Sequence, residues 1–272
     1  MPMIKIFYTP PGFGNITEFL FKEAVTAAGY GINNDYSNIL YLSPSPVNVK
    51  EAQKTFHNLQ GGKCYYIPPE TATISQYCKR MYSASGDKRL IDGMLIPLIL
   101  SSISGKGIGF SSAVCGLISD LKLYYPDLDT DSLKIKFEGI FHELNIPESL
   151  SRVITDSLEI FGRYKLSGEG NGFVDSDDVI NIVNHEFGVL GLEPDRNYSL
   201  LILDGFYDPT PAEKNFLKSI IRCSDKTFIS VPYDNSFMGL IKGYMDFLKE
   251  NFDVEEIYLK EGHGARGKGQ EF

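Results

Sequence analysis

Four apolar residues, Leu200-Leu201-Ile202-Leu203, run without a break into Asp204, Gly205, Phe206, Tyr207 and Asp208. A short run with no polar alternation reads as a strand of a parallel sheet, buried on both faces. Its carboxylate then emerges at the C-terminal edge, where open α/β sheets place their ligands. Residues 3–8 carry alternating β-formers and predict a first strand. A glycine-containing loop follows, then a helix through Ala28 stopped at Gly29. Residues 38–42 predict a second strand, 47–59 a helix, 64–67 a third strand and 73–82 another helix. This βα rhythm predicts a parallel sheet with right-handed crossovers.

The pattern changes between residues 88 and 192. Stretches 90–103, 113–123, 132–144, 149–166 and 176–187 carry apolar residues at helical spacing, and no strand is expected among them. After Asp204 the alternation resumes: helix 209–222, strand 227–231, helix 236–251 and strand 254–259. The expected division is an α/β domain made of residues 1–87 and 193–261, a helical insertion at 88–192 and a flexible tail at 262–272.

The formal net charge of −9 opposes strong nucleic-acid binding, because neutralising phosphates requires clustered Lys and Arg. The clearest basic cluster, Arg266 and Lys268 among glycines, belongs to the expected tail. Cys64, Cys78, Cys115 and Cys223 are scattered without a CxxC pair, which predicts reduced thiols and a cytoplasmic protein. No apolar run reaches the roughly 18 residues of a membrane span, so no membrane partner is expected.

Two stretches bear on chemistry. The loop Thr9-Pro10-Pro11-Gly12-Phe13-Gly14-Asn15-Ile16 lies between strand and helix, the setting of a phosphate-binding G-x-x-x-x-G-K-[ST] loop. Aligned on Gly14, it has Thr9 for the first glycine, Asn15 for the lysine that reaches the phosphates, and Ile16 for the hydroxyl that holds magnesium. Asn15 followed by Glu18 is also a capping-box pattern, and Glu18 sets a negative charge where a phosphate would sit. Gly12, Gly14, Asn15 and Ile16 thus read as a degenerate nucleotide-binding loop with a structural role. Asp204 and Asp208 are the candidate remnant of a magnesium-managing strand end, with Asp208 expected to open the next helical turn. No catalytic residue and no resident metal or cofactor is expected; ATP with magnesium stands only as a residual ligand. Asp127, Asp129, Asp131 and Glu138 match calcium-loop spacing, but Ser132 replaces the required glycine, so helix capping is the expected role. Asp175, Asp177 and Asp178 are read the same way. The four histidines show no HExxH spacing, and no nucleophile–base pair stands out.

In order and spacing these elements resemble the first motor lobe of superfamily I DNA helicases, in which a helical subdomain interrupts a RecA-like sheet. Asp204-Gly205-Phe206-Tyr207-Asp208 followed by Glu213 is similar to the helicase pattern D-E-x-x-D and a later glutamine, with Gly205 at the catalytic glutamate and Glu213 at the glutamine. Asp-Gly-Phe here, together with Val231-Pro232-Tyr233-Asp234, resembles the B subunit of the AddAB helicase–nuclease, whose relatives include inactivated helicases. Phe161-Gly162-Arg163-Tyr164 and residues 175–178 fit the late helical insertion of that group. The likeness covers residues 3–250, without the motif III glutamine after strand 227–231.

The resemblance implies an α/β, RecA-like (P-loop NTPase-like) parallel sheet interrupted by an all-helical subdomain. It also implies a non-hydrolysing scaffold lobe in DNA end processing and recombinational repair, partnered by a helicase or nuclease subunit and touching DNA weakly. No second motor lobe or nuclease domain is visible, so the chain reads as an N-terminal piece or a short relative. Two other readings remain open: a small nucleotide-binding protein using the degenerate loop, and a protein-interaction module unrelated to DNA.

Overall fold

The computed structural model describes residues 3–11, 13–27, 34–61, 65–189, 198–233 and 238–260. The chain folds as two compact units. The first comprises Met1–Tyr77, His185–Pro209 and Glu213–Phe272, and the second Cys78–Asn184 with Thr210–Ala212. The joins therefore fall at Cys78 and Asn184, where the pattern placed them at 88 and 192.

The first unit is built on a six-stranded, all-parallel sheet. Its strands are β1 (Met3–Thr9), β2 (Ile39–Leu42), β3 (Glu70–Ala72), β6 (Leu200–Asp204), β7 (Lys226–Pro232) and β8 (Val254–Tyr258), in the order β3-β2-β6-β7-β1-β8. Helices α1 (Ile16–Ala27), α2 (Pro46–Leu59), α9 (Pro211–Arg222) and α10 (Met238–Asn251) join the strands, together with the start of α3 (Ile74–Ser85). Leu200, Leu201, Ile202 and Leu203 are all 0–1% exposed, so β6 is a central strand buried on both faces. A fully buried aliphatic side chain of this kind contributes about 1.5–3 kcal/mol. Phe7, Phe21, Tyr41, Phe56 and Phe228 fill the core on one side of the sheet.

The third strand lies later than expected. Ile67 makes only an isolated bridge to Asp35, and the ladder beside β2 is formed by Glu70–Ala72. Pro68 and Pro69 explain the shift, since proline lacks the amide a ladder needs. The residues between the expected strand 64–67 and the expected helix from 73 therefore contain the edge strand itself. Cys64, Ala28, Asp234 and the tail 262–272 lie outside the described residues.

The second unit packs α4 (Ile96–Ser104), α5 (Ile108–Tyr124), α6 (Thr130–Glu143) and α7 (Glu148–Asn171), with the remainder of α3 and most of α8 (Ser176–Val189). Leu100, Val114, Ile118, Leu121, Leu133, Leu158 and Phe161 form its core. It is not wholly helical. β4 (Arg89–Leu90) pairs in parallel with β5 (Phe173–Val174), two residues each, too short to leave an alternating pattern. Gly172, at φ 65, ends α7 and turns the chain into β5. Among the described residues no single helix is long and apolar enough to cross a membrane.

Candidate functional site

Because the sheet is parallel, the C-terminal ends of all six strands share one edge. Asp204 ends β6 there, 6% exposed. A carboxylate this buried needs hydrogen-bond donors, since an unpaired buried charge is costly. Three hydroxyls supply them. Thr17 Oγ1 donates to Asp204 Oδ2 at 2.6 Å, and Tyr41 OH donates to the same oxygen at 2.8 Å. Ser230 Oγ donates to Oδ1 at 2.5 Å. Ser230 lies directly opposite Asp204 in the β6–β7 register, Tyr41 comes from β2 on the other side, and Thr17 comes from the first turn of α1. Three of the roughly four acceptor positions of the carboxylate are filled by protein. Burial, then the Asp204 charge and hydrogen bond, push the Tyr41 hydroxyl far above its ordinary range, so Tyr41 stays a donor.

Gly205 follows with φ +83, a conformation that side chains rarely adopt. An added Cβ would meet only ordinary contacts, the nearest being Asn48 Nδ2 at 3.5 Å, so backbone conformation rather than crowding selects glycine. The Gly205 amide donates to Ser230 Oγ at 3.3 Å. Asp208 is not part of the cluster. It is exposed, in the turn before α9, and does not open a helical turn: α9 begins at Pro211.

The loop after β1 is folded for helix capping. Asn15 Oδ1 accepts from the Glu18 amide at 3.0 Å, the N-cap bond that the spacing predicted. Glu18 then pairs with Lys22 at 2.6 Å rather than standing as an isolated charge. Gly14 takes φ 65. Phe13 is buried against the edge of Phe19, which packs in turn on Phe7. Ile16 packs against the same apolar core. Gly12 lies outside the described residues.

Thr17, Tyr41 and Ser230 were missed in the sequence, although each left a signal. Tyr41 interrupts an apolar strand, and a buried tyrosine hydroxyl requires a partner. Ser230 interrupts another such strand. Thr17 is the hydroxyl sought at Ile16, one position further on. Among the described residues, no group of three or more His, Cys, Asp or Glu side chains is arranged to hold a metal ion.

The second unit holds a buried ionic cluster. Lys122 Nζ contacts Asp175 Oδ2 and Asp178 Oδ1, each at 2.6 Å, and lies 4.9 Å from the centroid of the Tyr164 ring. Tyr164 OH donates to Asp175 Oδ2 at 2.8 Å, which brings together the two stretches on which the insertion resemblance rested. Asp175 Oδ1 also caps α8 through the amides of Asp177 and Asp178. Burial lifts the Asp175 carboxyl, but Lys122, with the Asp178 amide and the Tyr164 hydroxyl, more than offsets it and holds it below the usual range. Burial pushes Asp177 and Asp178 up. Asp129, in contrast, is a plain cap of α6, accepting from Ser132 N at 2.7 Å, which lowers its carboxyl.

No protein-family description matches this chain, and no curated protein matches it.

Proposed function

We propose that this chain is a non-hydrolysing, helicase-like scaffold lobe of a DNA end-processing and recombinational-repair nuclease complex, with a RecA-like sheet. One observation carries the reading. The carboxylate at the motor position lies beside the helix that follows the β1 loop, as a nucleotide site requires, yet three of its roughly four acceptor positions are taken by Thr17, Tyr41 and Ser230. Neither a lysine at Asn15 nor a base at Gly205 completes the machinery for stabilising and attacking a phosphoryl group. The hydroxyl triad ties α1, β2, β6 and β7 to one another through protein groups, which suits a lobe that holds partners rather than cycling.

Two measurements test this. The purified chain with ATP and magnesium should show no turnover above background; turnover that disappears in Asp204→Ala would overturn the non-hydrolysing part. Deleting the chain in cells that carry it should raise their sensitivity to double-strand breaks. Unchanged sensitivity would overturn the repair assignment.

A further inference from the structure

Among the described residues, β8 is an outermost strand of the sheet and pairs with β1 alone. The register sets Ile6 opposite Glu256 and Tyr8 opposite Tyr258, and the Leu259 amide donates to the Tyr8 carbonyl at 2.9 Å. Backbone groups alternate in direction along a strand, so those of Glu255, Ile257 and Leu259 face β1. Those of Val254, Glu256 and Tyr258 therefore face away from the sheet. Such a row of outward amides and carbonyls is a template for one more strand. The opposite edge is a poorer template, because β3 has three residues and follows Pro68 and Pro69.

Charge narrows the choice of partner. From Lys249 to Tyr258, four acids (Glu250, Asp253, Glu255 and Glu256) stand against Lys249 alone, so ten residues hold three of the chain's nine surplus negative charges. Glu255 pairs with Lys5 at 3.5 Å, yet its side chain is 58% exposed. Glu256 Oε1 takes Lys249 at 2.7 Å and the Tyr8 hydroxyl at 2.6 Å, and these bonds hold its carboxyl below the ordinary range. Glu250 and Asp253 are exposed and stand outside these pairs. Two β8 edges laid together would set acid against acid, which opposes pairing with a second copy. A strand of opposite charge meets no such barrier. Tyr258, 57% exposed and stacked on Tyr8 at 4.5 Å, adds an aromatic ring suited to a cationic side chain.

We infer that the free edge of β8 is a docking site for a basic, extended segment of a partner protein, which joins the sheet as a further strand. This goes beyond the repair reading and does not depend on it. Main-chain hydrogen bonds to Val254, Glu256 and Tyr258 supply affinity, and side chains at alternate positions supply selectivity. Lysine or arginine at those positions meets Glu256 and the acids around it.

The test is fluorescence anisotropy of the full chain with a labelled peptide of about eight residues, lysine alternating with valine. It should bind, and a glutamate–valine peptide should not. Methylating the backbone nitrogens along one edge of the lysine peptide keeps its charge and removes its pairing; binding should weaken at least about tenfold. Val254→Pro deletes one outward amide at the first position of the strand, where proline is tolerated, and should weaken binding about tenfold. Reversing two exposed charges, Glu250→Lys with Asp253→Lys, should also weaken it. Equal binding of the methylated peptide would reduce the contact to charge attraction and overturn strand addition. Unchanged affinity after the double charge reversal would overturn the choice of a basic partner. Binding that appears only once residues 261–272 are removed would make the chain's own tail the occupant and overturn the partner. No binding of the lysine peptide to any form of the chain would overturn the site and leave the repair reading to the deletion experiment.

Discussion

At the scale of single residues, Asp204 and Gly205 carry the proposal of a strand end that does not hydrolyse nucleotide. Asp204 accepts from three hydroxyls, and hydrogen bonds to a charged group contribute about 1.5–3 kcal/mol each. Its surroundings therefore favour a fixed carboxylate over one that must rearrange around a metal and a water. Gly205 stands where the helicase pattern has glutamate, but its φ of +83 means that the position cannot simply be restored. Gly205→Glu should leave ATP turnover at background and cost about 1–3 kcal/mol through backbone strain. Urea unfolding and a coupled ATPase assay check both halves; a variant as stable as wild type that hydrolyses ATP would contradict them. The sequence made Asp204 and Gly205 legible because an apolar run points at them. It hid their partners, since hydrogen bonds between residues 17, 41, 204 and 230 depend on strand order, which no local pattern encodes.

At the scale of elements, long periodic segments were legible and short ones were not. The helices of the second unit follow their apolar stripes, whereas β3, β4 and β5 span three, two and two residues and exist through their neighbours. Lys122 shows the same limit. It falls on the buried stripe of α5 with Val114, Ile118 and Leu121, where a lysine is anomalous unless paired, and its partners lie more than fifty residues away. Lys122→Met leaves Asp175 and Asp178 buried without their cation, and removing one partner of such a cluster costs about 3–5 kcal/mol. The pH dependence has a definite sign. Without Lys122, burial dominates and lifts both folded carboxyls above the ordinary value of 3.8. A carboxyl with a raised folded pKa binds more protons folded than unfolded, so stability recovers as pH falls toward that pKa. The deficit of Lys122→Met, measured by urea unfolding, should be largest near pH 7 and smaller near pH 5. A deficit that grows on acidification would show that Lys122 stabilises by other means.

At the scale of the whole molecule, charge sets what the chain can hold. Thirty-five acidic residues against 26 basic ones give −9, and several of the lysines are already paired with carboxylates within the fold. Duplex DNA presents its phosphates outward and its bases stacked inward, so a protein that binds it without sequence preference depends on phosphate neutralisation and counterion release. This chain has little cationic surplus for that term. Non-specific duplex binding should therefore be no tighter than the weak end of the usual range, about 10⁻⁴ M at physiological salt. Anisotropy of a labelled duplex is the check, run beside a single strand of the same length. Micromolar duplex affinity that falls steeply with salt would mean that Lys and Arg gather on one face strongly enough to overcome the net charge. The chain would then bind the duplex by itself.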